Sequence, residues 1–72
     1  MLTTFTVTYT KIGSGYMGQI TEWPEVISEG ETIESCYQSV QDALQEMIAA
    51  YQQQNQEIPL GKSAIEQILV EV

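Results

Sequence analysis

Seventy-two residues make one small domain, and a chain of that size buries only about 60% of the surface its unfolded form exposes. Its single cysteine, Cys36, rules out an internal disulfide, and with no histidine the chain cannot build a structural zinc site. Ten acidic residues against two basic ones give a formal net charge of −8, which argues against holding nucleic-acid phosphates or an anionic membrane with only Lys11 and Lys62.

Hydrophobic residues make up 43% of the chain, enough for a packed core and too many for a disordered tail. Stability must then come from an efficient core or from self-association. The charge favours a basic protein partner, met quickly and in a salt-sensitive way, although much acidic charge on small proteins serves only solubility. No run approaches the roughly 20 apolar residues of a membrane span, and Met1 to Phe5 lacks the basic start and apolar core of a signal peptide. A cytoplasmic protein is expected, and the lone thiol agrees with that.

Residues Leu2 to Thr10 alternate, with Phe5, Val7 and Tyr9 on one face and Thr4, Thr6, Thr8 and Thr10 on the other. That period of two predicts a strand with one buried face. Gly13-Ser14-Gly15 predicts a hairpin loop. Tyr16 to Glu22 predicts a second, antiparallel strand, in which Gly18 marks a bulge or a close backbone approach. Trp23-Pro24 ends it, because proline cannot donate to a ladder. Val26 to Glu29 predicts a short third strand stopped by Gly30.

Thr32 is a good N-cap, and Glu31 and Glu34 suit the positive end of a helix dipole. Ile33, Cys36, Tyr37, Val40, Ala43, Leu44, Met47, Ile48 and Tyr51 then recur at steps of three and four, predicting an amphipathic helix to about Gln53. The glutamine-rich stretch after it reads as a solvated helix end, and Ile58-Pro59-Leu60-Gly61 as a turn.

Ala64 to Val72 predicts a last strand, with Ile68, Val70 and Val72 on one face and Ile65 and Leu69 on the other. The expected fold is α+β, β-β-β-α-β: a four-stranded mixed sheet of order 3-2-1-4 with one helix on one face. The crossover to the last strand is right-handed. The whole chain, 1–72, forms a single domain. One sheet face and the strand from Ile65 to Val72 would expose apolar surface, so a homodimer or higher oligomer is expected. Its interface candidates are Ile65, Ile68, Leu69, Val70 and Val72.

The run from Gly15 to Ser35 resembles the HicB family of antitoxin proteins. The resemblance rests on the glycine and aromatic that open the second strand, on Trp23-Pro24-Glu25 at the turn, and on Ser28-Glu29-Gly30-Glu31-Thr32-Ile33-Glu34 at the helix start. It extends through Val40, Ala43, Leu44 and Ile48 to Ile58-Pro59, without a gap from Gly15 to about Tyr51. Thr21, Glu25, Ser35 and Cys36 depart from the family pattern, which has proline, glycine and Glu-Ala at those places. The resemblance implies a partial ribonuclease H-like fold. It also implies a partner, a small basic HicA-like toxin that cleaves messenger RNA and is silenced when its catalytic surface is masked. Full-length relatives often carry a C-terminal DNA-binding domain, for which a chain ending at Val72 leaves no room, so operon repression is not expected of this chain alone.

A ribonuclease H echo raises the question of catalysis. Such nucleases gather carboxylates around two metals, one of them in the first strand, and Leu2 to Thr10 holds no acid. Without histidine, Ser-His and Cys-His pairs are excluded, and Cys36 on the apolar stripe reads as a core residue. No catalysis, metal or cofactor is expected; a metal-dependent nuclease is the weakest reading. Glu34, Asp42 and Glu46 read as the solvated helix face. Glu22, Glu25, Glu29 and Glu31 are the densest acidic stretch, interleaved with Trp23. They form either a solvated turn around a half-buried tryptophan or the toxin-contact surface, an aromatic anchor in an acidic rim. The alternative to an antitoxin is an orphan structural or regulatory module of the same fold, without a toxin.

Overall fold

The computed structural model describes residues 2–59 and 68–71. Three strands and one helix follow one another: β1 (Val7–Ile12), β2 (Gly15–Ile20), β3 (Ile27–Gly30) and α1 (Ile33–Gln53). The strands form an antiparallel meander of order β1-β2-β3, and α1 packs across β3 and β2. The architecture is α+β, as expected. The expected fourth strand, Ala64 to Val72, falls largely outside the described residues, and 68–71 belong to no strand.

The hairpin closes tightly because Ile12 pairs with Gly15, leaving Gly13 and Ser14 as its two loop residues. Gly13 takes φ +46°, which a side chain would resist. The pairing Tyr16↔Gly30 sets β3 one residue later than the alternation predicts, at Ile27–Gly30 rather than Val26–Glu29. Val26 instead closes the preceding turn: its carbonyl accepts from Ile20 N–H at 3.0 Å and its N–H donates to Trp23 O at 2.9 Å.

Helix α1 starts where Thr32 caps it. Ser35 N–H donates to Thr32 Oγ1 and Thr32 N–H donates to Ser35 Oγ, each at 3.0 Å, which completes a reciprocal capping box. The serine that departs from the HicB pattern thus serves in the capping role of glutamate with a shorter arm. At the other end, Gln56 N–H donates to Tyr51 O and Asn55 N–H to Gln52 O, with Asn55 at φ 55°. This is a Schellman stop, with asparagine in the left-handed position usually given to glycine.

The core is small: Ile20, Trp23, Val26, Cys36 and Val40 are buried, with Phe5, Val7, Tyr9, Leu44, Met47 and Tyr51 among the residues packed against it. Two glycines let helix and sheet meet. A Cβ at Gly18 would lie 2.7 Å from Val40 Cγ2 and 3.0 Å from Cys36 Sγ. One at Gly30 would fall on the Cys36 backbone nitrogen. Gly18 therefore marks a close approach within a regular ladder, and Gly30 serves the same purpose instead of a turn.

The sheet face away from α1 carries both polar and apolar side chains. The ladder puts Thr8, Thr10, Gln19 and Glu29 there, with Ile12, Met17 and Ile27 as its apolar members. The open face is thus mixed, its apolar surface supplied by Ile12, Met17 and Ile27 among threonines. Ile33 and Tyr37, placed by their spacing on the buried stripe, are 47% and 46% exposed. They lie on the β1 side of the helix, beside Tyr9, where no further strand among the described residues covers them.

Candidate partner-binding surface

The acidic stretch between β2 and the helix does not form one patch. Glu25 lies two residues before β3 and Glu29 next to its last residue, so the acids divide between the two ends of the sheet. Glu22 and Glu25 lie at the turn where β1 begins; Glu29 and Glu31 lie at the hairpin end.

Glu22 is committed to the fold. Thr6 N–H donates to its Oε1 and Thr6 Oγ1 to its Oε2, both at 2.7 Å. These bonds, the backbone donor first, hold its carboxyl below the usual carboxylate range. Thr21 N–H also donates to Thr6 O at 2.8 Å, and Thr8 Oγ1 meets Thr21 Oγ1 at 2.9 Å. Glu22 therefore clips the start of β1 to the turn after β2.

Trp23 is the clearest departure from expectation. An anchor offered to a partner, or even a half-buried ring in a solvated turn, must show its ring to solvent. Trp23 is 2% exposed. It sits beneath the acidic turn against Tyr51, so it supports the turn and presents no anchor. Its indole N–H has no hydrogen-bond partner among the described residues.

Glu25, Glu29 and Glu31 are exposed. Glu29 and Glu31 line an open cleft of about 300 Å³ with Ile12, Ser14, Gly15 and Gly30. Among the described residues no cation holds these three acids. Lys11 stands 4.8 Å from the Tyr16 ring centroid. Such a cleft suits the ammonium or guanidinium group of a basic partner. Among the described residues no three Cys, Asp or Glu side chains converge on a metal site. Cys36 is fully buried, and its Sγ lies 3.9 Å from Ser28 O. Of the self-association candidates, Ile68, Leu69 and Val70 are exposed at 85%, 102% and 65%. Ile65 and Val72 lie outside the described residues. Among the described residues no helix is long and apolar enough to cross a membrane.

The family model of UPF0150-like proteins matches residues 5–59, from the start of β1 past the helix stop. The chain belongs to the UPF0150-like family. The matched UPF0150-like region contains every described strand, the helix and all of the acidic stretch, and ends before the exposed apolar run at 68–70. Comparison with curated proteins and with solved structures gives no match.

Proposed function

We propose that this UPF0150-like chain is an HicB-like antitoxin module. In this reading it binds a small basic, messenger-RNA-cleaving toxin of the HicA type and masks it by steric and electrostatic cover, in the cytoplasm and without chemistry of its own. The observation that carries the proposal is the set of exposed carboxylates, uncompensated among the described residues, on a UPF0150-like scaffold, above all Glu29 and Glu31 at one cleft. The HicB resemblance of Gly15 to Tyr51 supplies the class of partner.

The physical logic is competition. A ribonuclease of this kind holds phosphates with lysines and arginines, and a carboxylate surface takes the same groups. Each exposed pair contributes only about 0–1 kcal/mol. Several together steer encounter and fix orientation, and the larger share of affinity comes from the contact they direct. Completing the partial ribonuclease H-like fold requires a fourth strand beside β1, giving the mixed order 3-2-1-4.

The test is co-expression of the tagged chain with the small basic protein encoded in the adjacent frame, followed by washing at rising salt. Retention at low salt and release at high salt supports masking. No retention at any salt removes the proposal. The exposed apolar run at 68–70 favours one alternative, an orphan self-assembling module that recovers only itself.

A further inference from the structure

The edge of β1, unpaired among the described residues, and the exposed apolar run Ile68-Leu69-Val70 are complementary. The bond from Thr21 N–H to Thr6 O makes 6:21 a hydrogen-bonded pair. Antiparallel ladders alternate, so Thr8 and Thr10 also bond to β2, while Val7, Tyr9 and Lys11 turn their N–H and C=O groups the other way. The bond from Ile20 N–H to Val26 O fits the same phase, since Ile20, opposite Val7, points its donor toward β3. Among the described strands, in the order β1-β2-β3, those three residues of β1 face an open edge.

A groove runs along the same edge. Helix α1 packs over β3 and β2, and among the described residues no element packs closely over the β1 side. Tyr9, Ile33 and Tyr37 line one part of the groove, about 680 Å³ and open; Phe5, Val7, Tyr37 and Leu44 line the next, about 180 Å³. Tyr37 lines both parts.

We infer that the groove and edge of one copy receive the Ile68–Val70 segment of a second copy as an added strand, reciprocally, in a two-fold dimer. The apolar arm is exposed, and among the described residues nothing of its own chain fills the groove beside β1. An arm and a groove on one chain, each unsatisfied there, close on each other in an isologous pair. Added-strand pairing takes up the main-chain groups of Val7, Tyr9 and Lys11. Alternation places Ile68 and Val70 against Tyr9, Ile33 and Tyr37, with Leu69 on the threonine face. The inference deepens the expected self-association and does not depend on a toxin.

Charge supplies a signature. Two chains of net charge −8 repel, so added salt strengthens the dimer, opposite to its effect on a basic partner. The experiment is molar mass of the full chain by light scattering across concentration and salt, with amide exchange at Val7, Tyr9 and Lys11. The expected result is a dimer, tighter in salt, with those three amides slowed. In Ile68→Asp/Val70→Asp the mass halves and the three amides exchange roughly tenfold or more faster. Tyr37→Glu, changed from the groove side, gives the same outcome; helical circular dichroism confirms that each variant is folded. A monomer at all concentrations overturns the inference, including one in which the chain's own arm protects the edge. So does a dimer that survives the paired aspartates.

Discussion

Trp23 meets Tyr51 edge to face, with ring centroids 4.7 Å apart and planes at 69°. The contact ties the turn after β2 to the last turns of α1. It explains why a tryptophan surrounded by glutamates is buried: the acids point out and the ring points in. Trp23→Ala should cost about 3–5 kcal/mol, a large part of the stability of so small a domain. A double-mutant cycle with Tyr51→Leu should isolate about 0.5–1.5 kcal/mol for the ring pair. Urea denaturation measures both; a loss under 1 kcal/mol for Trp23→Ala would mean the ring is not part of the core.

The two close-approach glycines should rank by what they meet. Gly18→Ala presses on the Val40 and Cys36 side chains and should cost about 1–3 kcal/mol. Gly30→Ala presses on helix backbone, which cannot rotate away, and should cost more. Thermal unfolding of the two variants gives the order directly.

Glu22 predicts an acid-side loss of stability. Its carboxyl is held below the usual carboxylate range in the folded chain by the hydrogen bonds from Thr6. The unfolded chain thus binds more protons as pH falls through that range. The clip's contribution is fully present above about pH 4.5 and is lost as pH drops through the lower folded value. Glu22→Gln should cost about 1 kcal/mol at neutral pH and flatten that part of the stability profile. An unchanged acid limb in Glu22→Gln would show that other carboxylates carry it.

The helix stop makes a sharp prediction at one residue. Asn55 holds φ 55°, which a β-branched side chain resists. Asn55→Val should cost about 1–2 kcal/mol, whereas Asn55→Gly should stay within about 0.5 kcal/mol of the parent. Equal losses in the two would point to the asparagine side chain rather than the backbone.

Local chemistry made much of this fold readable. The alternation from Phe5 to Tyr9, the glycines of the hairpin, the Thr32 cap and the spacing from Cys36 to Tyr51 each announce their element within a few residues. What was not readable depends on distant partners. Trp23 is buried by Tyr51, and Glu22 is engaged by Thr6, 16 residues earlier; no local pattern marks either. Periodicity placed Ile33 and Tyr37 on the inward stripe, but cannot say whether a neighbour is there to cover them. The acidic stretch looked continuous in sequence because β3, which separates its two ends, is only four residues long. Asn55 was legible in principle, as an asparagine just past a helical run, yet among five polar neighbours it carried no contrast.

The central claim is that this chain silences a small basic ribonuclease by covering it. The most direct measurement is messenger-RNA cleavage by the adjacent-frame basic protein, titrated with this chain and with a Glu25→Gln/Glu29→Gln/Glu31→Gln variant. The account predicts that cleavage falls to background at a fixed stoichiometry, and that the variant inhibits with a slower onset and less sensitivity to salt. Cleavage that continues unchanged in a molar excess of the folded chain would contradict it.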